Sequence, residues 1–346
     1  MTETPQKKRK RRGSGRVTMK DVAKLSGVAP ITVSRVLSGS DYASPAARDA
    51  VMAAVRELGY VPNRMAGGLA SVHAPVVPIL VPALRNAVFS DIIMGAQEHF
   101  FEHGLETLIG NTLYSISKEE HLTRTFLGWS PPAIMITGGT HSQATRDLLS
   151  SIEIPVIELM ELVEKPLGIN VGLSHAGAGY DMTSVLIERG YEDIAFLGTM
   201  PDRDLRALKR MEGYQKALRD NGLRGDGFVQ FYDQPSTFQL AAQFADIYLE
   251  NRAKIRAVFC ANDVLAVGLL MECQRRGIAV PGELAIAGFN DLSIAESVHP
   301  RLTTVHVPRY EMGTKAASML VEVLSGETLE SPIYNVGYEI IEREST

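Results

Sequence analysis

The sequence predicts an α/β protein in two parts: a small helical head, followed by a two-lobed body built on parallel sheets. Three observations predict it. Charge is split along the chain, with 13 Lys and Arg against 5 Asp and Glu over residues 1–71 and 22 against 35 beyond them, a net of +8 in front and −13 behind. The stretch "VTMKDVAKLSGVAPITVSRVL" (17–37) carries apolar residues at helical spacing. From Val76 onward, short apolar runs alternate with amphipathic segments in two successive series, which argues for strands covered on both faces by helices and for two lobes.

Residues 1–16, with the unbroken basic run KKRKRR at 7–12, read as a disordered arm. Thr18 followed three residues later by Asp21 has the spacing of a capping box, the carboxylate sitting at the positive end of the helix dipole. Val22, Ala23 and Leu25 give the first helix an apolar face, and Ser26-Gly27 ends it. A second helix opens near Pro30, where a missing N–H costs nothing. Val33, Val36 and Leu37 point inward at helical spacing, leaving Ile31, Thr32, Ser34 and Arg35 outward. Ser44-Pro45 caps a third helix that runs through Val51, Val55 and Leu58 to Gly59-Tyr60. Three short helices with a tight second turn, over residues 17–62, form a helix-turn-helix unit, whose second helix enters the major groove of DNA. A basic head suits a polyanion because Lys and Arg gain affinity by releasing its counterions, with a membrane surface as the competing reading.

In the body, residues 74–346, the first series of strands is "VVPILVP", "ETLIG", "AIMIT" and "PVIEL", and the second is "DIAFLG", "FVQF", "RAVFC" and "LAIAGF". Pro78 falls inside the first strand and removes a ladder donor. In open parallel sheets the ligand sits at the carboxyl ends of strands, and two facing lobes enclose a cleft. The strand-ending loops "PALRNAVF", "TGGTHS", "ELME", "GTMPDRDLRALKR", "CANDVLA" and "GFNDLS" are therefore the candidate ligand contacts. Arg206, Lys209 and Arg210 crowd one segment, with Arg85 and His141 on facing loops and Glu158 in "ELME". A carboxylate gains from a bidentate guanidinium where a neutral ligand needs no such excess, so the charge favours an acid as the small-molecule partner, a sugar acid once the resemblance given below is added.

Other classes fit less well. The longest apolar stretch, "APVVPILVPAL", is far short of the roughly 20 residues of a spanning helix and is interrupted by proline, and the N-terminus shows no apolar signal core, so no membrane association is expected. Cys260 and Cys273 make no disulfide framework, which fits a cytoplasmic protein, and Cys260 reads as a small buried hydrophobe. His99 and His103, beside Glu98 and Glu102, lack a third ligand, so no metal is expected. "GTHS" and "LSHAGAGY" are neither a nucleophile elbow nor a phosphate loop, so no catalytic residue or cofactor is expected.

"TMKDVAKLSGVAPITVSRVL" followed by "SPAARDAVMAAVRELGYVPNRMAGGLAS" resembles the DNA-binding headpiece and hinge of the lactose repressor family, continuously over residues 17–71. The resemblance implies operator contacts by Thr18, Pro30, Ile31, Thr32, Ser34, Arg35, Asn63 and Arg64, and a hinge over 63–73 whose Leu69 wedges into the minor groove. Ala29 stands where family members commonly carry Ser or Thr, which removes a side-chain cap. Gly67 and Gly68 each cost about 1 kcal/mol of helicity, so the hinge is expected to fold only on DNA. The body resembles periplasmic sugar-binding proteins, and "VFCANDVLAVGLLMECQRRGIAVPGELAIAGFNDLSIA" with "IPVIELM" resembles the gluconate-operon repressor branch. That implies a sugar gripped by Arg210, hydroxyls taken by Asn262, Asp263, Asn290 and Asp291, and Phe89 covering the ligand.

The implied function is a ligand-responsive repressor of sugar-acid catabolism genes. It would act as a homodimer on a pseudo-palindromic double-stranded operator, released by its effector, and would not be an enzyme. The alternatives are a regulator answering to another carbohydrate or metabolite, and a sugar-binding transport module, which predicts a signal peptide and no helical head. No leucine heptad follows Tyr338, which argues against a tetramer held by a terminal coiled coil. Neutralising residues 7–12 is expected to weaken binding to all DNA alike and to reduce the slope of log affinity against log salt by about 0.9 per lost phosphate contact. Fluorescence anisotropy over a salt series measures that slope, and an unchanged one would place the phosphate contacts elsewhere.

Overall fold

The computed structural model describes residues 17–37, 42–60, 75–224 and 227–346. The chain divides into two compact units, Met1–Ala74 and Pro75–Thr346. In the first, α1 (Met19–Ser26), α2 (Pro30–Leu37) and α3 (Pro45–Leu58) enclose a core of Val22, Ala23, Val33, Val36, Val51, Ala54 and Tyr60. The Asp21 carboxylate accepts from the Thr18 N–H at 2.8 Å and from its hydroxyl at 2.6 Å, fixing the start of α1. Gly27, at φ 71°, ends that helix in the left-handed region that favours glycine. The Ser44 hydroxyl caps α3 by accepting from the Ala47 N–H at 3.3 Å. Leu25 departs from expectation: it is 45% exposed, while Met19 packs against the core. Met19, Val22, Ala23 and Ser26 follow the i, i+3, i+4, i+7 stripe, and Leu25 lies off it. The basic arm, Asn63, Arg64, Gly67, Gly68 and Leu69 lie outside the described residues.

The second unit begins with β1 (Val76–Val81), α4 (Ala87–Glu102), β2 (Glu106–Asn111), α5 (Ile116–Leu127), β3 (Ile134–Thr137), α6 (Gln143–Ser150), β4 (Val156–Glu161) and β5 (Ile169–Leu173). It continues with α7 (His175–Glu188), β6 (Ile194–Thr199), α8 (Leu205–Asp220), β7 (Phe228–Tyr232), α9 (Phe238–Ala242), α10 (Phe244–Glu250), β8 (Ala257–Cys260), α11 (Asp263–Arg276), β9 (Ala285–Ala287) and α12 (Ile294–Ser297). Last come β10 (Thr304–His306), α13 (Arg309–Leu324), β11 (Ile333–Asn335) and β12 (Glu339–Ile341). One parallel sheet, ordered β2-β1-β3-β4-β5-β11, forms the first lobe, and a second, ordered β7-β6-β8-β9, forms the other. The chain passes between lobes at Ser174, at Val307-Pro308, and from Val336 to Tyr338, where β12 returns to pair antiparallel with β10. β1 continues through Pro78, which pairs with Leu108, and its ladder with β3 begins one residue later at Ile79.

Each lobe contains a helix pair brought together by glycine. A Cβ on Gly179 of α7 would stand 2.2 Å from the Arg210 carbonyl oxygen, and one on Gly213 of α8 would stand 2.0 Å from that of Ala176. Gly95 of α4 and Gly313 of α13 play the same part in the first lobe, their added carbons falling 2.1 Å from Tyr310 O and 2.0 Å from Ile92 O. No side chain fits at such distances, so backbone meets backbone. Gly213→Ala is therefore expected to destabilise the second lobe by about 1–3 kcal/mol, as overpacking does. Thermal denaturation measures this, and an unchanged midpoint would mean that α7 and α8 separate without cost.

Candidate functional site

On α2, Val33 and Val36 are buried, while Pro30, Ile31, Ser34 and Arg35 are exposed and Thr32 is half-buried. Ile31 is 63% exposed, an apolar side chain held outward by a helix whose inner face is already filled. Thr18 is exposed at the start of α1.

In the second unit a cavity of about 410 Å³ lies between the lobes, within the usual range for small-molecule sites. Ala83, Arg85, Asn86 and Tyr114 line it from the first lobe, and Met200, Asp204, Pro235, Ser236, Thr237, Phe238, Gln239, Asn262 and Val264 from the second. Asn262 is the N-cap of α11: its Oδ1 accepts from the Leu265 N–H at 3.1 Å and its Nδ2 donates to the Ser236 hydroxyl at 2.8 Å. Ser236 is held in turn by Thr199 at 2.9 Å.

Beside this cavity, α8 brings Arg206, Lys209 and Arg210 to one face at i, i+3, i+4. Arg206 Nη2 faces Asp204 Oδ1 at 3.2 Å. Burial pulls the Arg206 pKa down, but Asp204, Tyr114 and Glu161 outweigh it and the net shift is upward. Burial, reinforced by Asp204, pushes the Tyr114 hydroxyl up to about 12. Lys209 forms an ion pair with Glu161. Arg210, only 5% exposed, donates from Nη1 to His175 Nδ1 at 3.1 Å and lies 4.3 Å from the Phe289 ring centroid. Burial brings Arg210 down to about 10. Burial and the neighbouring Arg210, Arg206 and Lys209 drive His175 well below its ordinary value, so it is neutral and accepts through Nδ1. Arg210 Nε is buried without a hydrogen-bond partner among the described residues.

Of the expected effector contacts, Arg85 and Asn262 line the cavity and Arg210 lies on the helix that bounds it. The others are occupied elsewhere. Phe89 is buried in the core, its ring centroid 5.9 Å from the Arg206 guanidinium, and does not cover the cavity. His141 Nδ1 lies 2.8 Å from Glu119 Oε1, and its Nε2 faces Glu158 Oε1 at 3.3 Å, an ion-pair contact. Glu158 Oε2 accepts from the Leu167 N–H at 2.6 Å, so this pair braces the first lobe. Asp263 accepts from the Thr304 hydroxyl at 2.6 Å and from the Leu292 N–H at 2.7 Å, while burial pushes its carboxyl up to about 7. Asp291 pairs with Arg343 at 2.8 Å and with His306 at 3.0 Å. Asn290, at φ 109°, gives its carbonyl to Arg309, which also pairs with Asp91 at 2.8 Å. Asn86 and Asp204 lie in the candidate loops "PALRNAVF" and "GTMPDRDLRALKR", whereas Tyr114, Ser236 and His175, the partner of Arg210, lie outside the candidate loops. Asp204 follows the "DIAFLG" strand and His175 lies in "LSHAGAGY", but sequence position alone does not show which way either side chain turns. Among the described residues no His, Cys, Asp and Glu group could hold a metal, and no helix is long and apolar enough to cross a membrane.

An outward-facing recognition helix joined to a unit whose two lobes enclose a ligand-sized cavity defines a ligand-responsive DNA-binding regulator. The chain belongs to the lacI family of bacterial regulatory proteins, whose pattern matches residues 18–63, and residues 183–346 match the periplasmic binding protein-like domain. It is similar to the HTH-type transcriptional regulator GntR of Pseudomonas aeruginosa, 35% identical over 97% of each chain. A lacI family transcriptional regulator from Silicibacter pomeroyi superposes with a TM-score of 0.89 at 34% identity, covering 95% of this chain and 99% of that one. The transcription regulator GntR from Chromobacterium violaceum gives 0.75 at 38% identity over 78% and 98%. The protein is thus a transcriptional repressor that binds operator DNA and a small-molecule effector, not an enzyme.

His141, buried between Glu119 and Glu158, couples the stability of the first lobe to pH. Burial lowers its pKa, but Glu119 and Glu158 outweigh burial and raise it to about 9. A histidine raised on folding contributes fully below its unfolded value near 6.5 and loses that contribution as pH rises through about 9. The stability difference between wild type and His141→Gln is expected to shrink by about 3 kcal/mol as pH rises from 6 to 9.5. Thermal melts of both proteins across that range measure it, and a constant gap would show that His141 does not titrate there.

Proposed function

We propose that the chain is a homodimeric, cytoplasmic repressor of sugar-acid catabolism genes of the gluconate type, released from a pseudo-palindromic operator when the sugar acid enters the interlobe cavity. Its parts are a head over 17–62, a hinge over 63–73 and an effector and dimerisation unit over 74–346. The observation that carries the effector class is Arg210. Arg206 faces Asp204 and Lys209 pairs with Glu161, whereas Arg210 is hydrogen-bonded to neutral His175. A buried guanidinium whose hydrogen-bonded neighbour is neutral favours a ligand carboxylate, which takes two parallel N–H donors. Arg85 at the cavity adds a second cation, and Asn262 carries a second amide hydrogen for a hydroxyl. The gluconate-operon resemblance and the two regulators named GntR support the same class. A neutral polyol is the second reading, favoured by the Asp204 carboxylate on the cavity wall.

On DNA, Pro30, Ile31, Thr32, Ser34 and Arg35 read the groove, Thr18 anchors α1, and Asn63, Arg64 and Leu69 act in the hinge. A ligand that prefers the non-operator state shifts the population by its differential affinity, and DNA weakens ligand binding by the same factor. Arg210→Lys keeps the charge but loses the fork, and is expected to weaken gluconate binding about 10- to 100-fold while sparing operator affinity. Calorimetry with gluconate and glucose, and anisotropy with operator DNA, measure the two. Tighter binding of glucose by wild type, or an Arg210→Lys variant that responds normally, would overturn the sugar-acid reading.

A further inference from the structure

We propose that Lys209 and Glu161 are a positioning pair that latches the two lobes together and so sets the distance between the cavity walls before any ligand enters. Lys209 stands on α8, in the second lobe, on the same helix face as Arg206 and Arg210. Glu161 is the last residue of β4, in the first lobe. Their ion pair spans the cleft between an ammonium 40% exposed at the side chain and a carboxylate only 4% exposed.

The carboxylate is held from both sides. Its Oε1 accepts from the Gly139 N–H at 2.8 Å, within its own lobe, while Oε2 takes Lys209 from the other. The Gly139 carbonyl is fixed in turn by Arg146 Nη2 at 2.6 Å, so the loop that presents the amide is itself tied down. Burial pushes Glu161 up, but Lys209, the Gly139 amide and Arg206 outweigh it, which keeps the carboxylate charged. A buried anion with one oxygen committed to its own lobe leaves the other with a strong demand for a cation, and the opposite lobe supplies it.

The lobes are joined covalently at three short passages, Ser174, Val307-Pro308 and Val336 to Tyr338. Rotation about such passages is opposed by contacts across the cleft. Arg309, with Asp91 and the Asn290 carbonyl, makes one at the root of the second passage. Lys209–Glu161 makes another on the helix that carries Arg210, so its state is passed directly to the cavity. A protein whose binding-competent state is partly populated shows an apparent Kd raised by the inverse of that fraction. Breaking the latch lowers the closed fraction and weakens the effector without removing any atom that touches it.

The test uses the full chain with spin labels at Lys118→Cys on the first lobe and Asp202→Cys on the second, both exposed positions, diluted in unlabelled chain. Cys260 and Cys273 are buried with raised thiol pKa and stay unlabelled. Double electron–electron resonance without ligand is expected to show one short distance in the parent. Lys209→Met and Glu161→Gln should each shift it longer, the two together no further than either alone, and Lys209→Arg should keep the parent distance. An unshifted Lys209→Met distribution would overturn the latch, as would a shift in Lys209→Arg equal to that in Lys209→Met, which would assign the effect to packing. The second arm rests on the sugar-acid reading: gluconate affinity by calorimetry should fall about 5- to 10-fold in Lys209→Met and recover in Lys209→Arg. If gluconate fails to bind even the parent, that reading fails while the distance measurement still judges the latch.

Discussion

The approach of α7 to α8 at Gly179 and Gly213 is the constraint on which the effector site depends. Two helices that touch backbone to backbone leave no room to adjust, so the residues flanking the contact are placed by the crossing itself. His175 opens α7 and Arg210 lies one turn from Gly213, and the crossing sets them 3.1 Å apart. The same contact buries both. Burial then removes the histidine's charge, because a second cation beside Arg210 has no water to screen it. A packing fact thus becomes an electrostatic one: a guanidinium kept charged, supported by a neutral acceptor and the face of Phe289.

The three cations in the first turns of α8, Arg206, Lys209 and Arg210, differ in what they face, and that difference organises the site. Arg206 is met by an acid of its own segment, Lys209 by an acid of the other lobe, and Arg210 by a neutral ring and a neutral imidazole. One helix face thus carries a local ion pair, an ion pair to the other lobe and, in the proposed site, the guanidinium for the ligand, all within a single turn and a half. Composition alone shows an excess of positive charge there; only the partners show which of the three charges is committed.

Much of the fold was legible because parallel strands covered on both faces are continuous apolar runs, and "VVPILV", "IAFLGT" and "AVFC" announce themselves. β5 was not, since "INVGL" carries an asparagine in a core strand. Asn170 is accommodated by accepting from the Val163 N–H and donating to the Glu158 and Glu161 carbonyls, partners that sequence spacing does not reveal. β10, β11 and β12 were too short to show a pattern. The same two-sided burial hides which way a polar residue on a strand turns. When both faces of a strand are buried, alternation does not say which face meets the cleft, so the sequence alone does not show that Glu158 turns toward His141, which also meets Glu119. Tyr114, Asp204 and Ser236 come from segments distant in sequence and meet only after folding.

Polar residues at the ends of strands and helices consequently divide into two kinds, and neighbours in sequence often take opposite parts. Asn262 faces the cavity while the next residue, Asp263, is turned inward to hold Thr304 and the Leu292 amide. Asn290 stands at φ 109° with its carbonyl gripped by Arg309, while the adjacent Asp291 is committed to Arg343 and His306. At Asn262 a wall residue is backed by a neighbour that turns away from the cavity, an arrangement that fixes its geometry before binding and so lowers the entropic cost. It follows that selectivity in this cavity is not a property of the wall alone. Two relatives with identical walls and different braces would hold the same donors and acceptors at different distances, and would answer to different effectors.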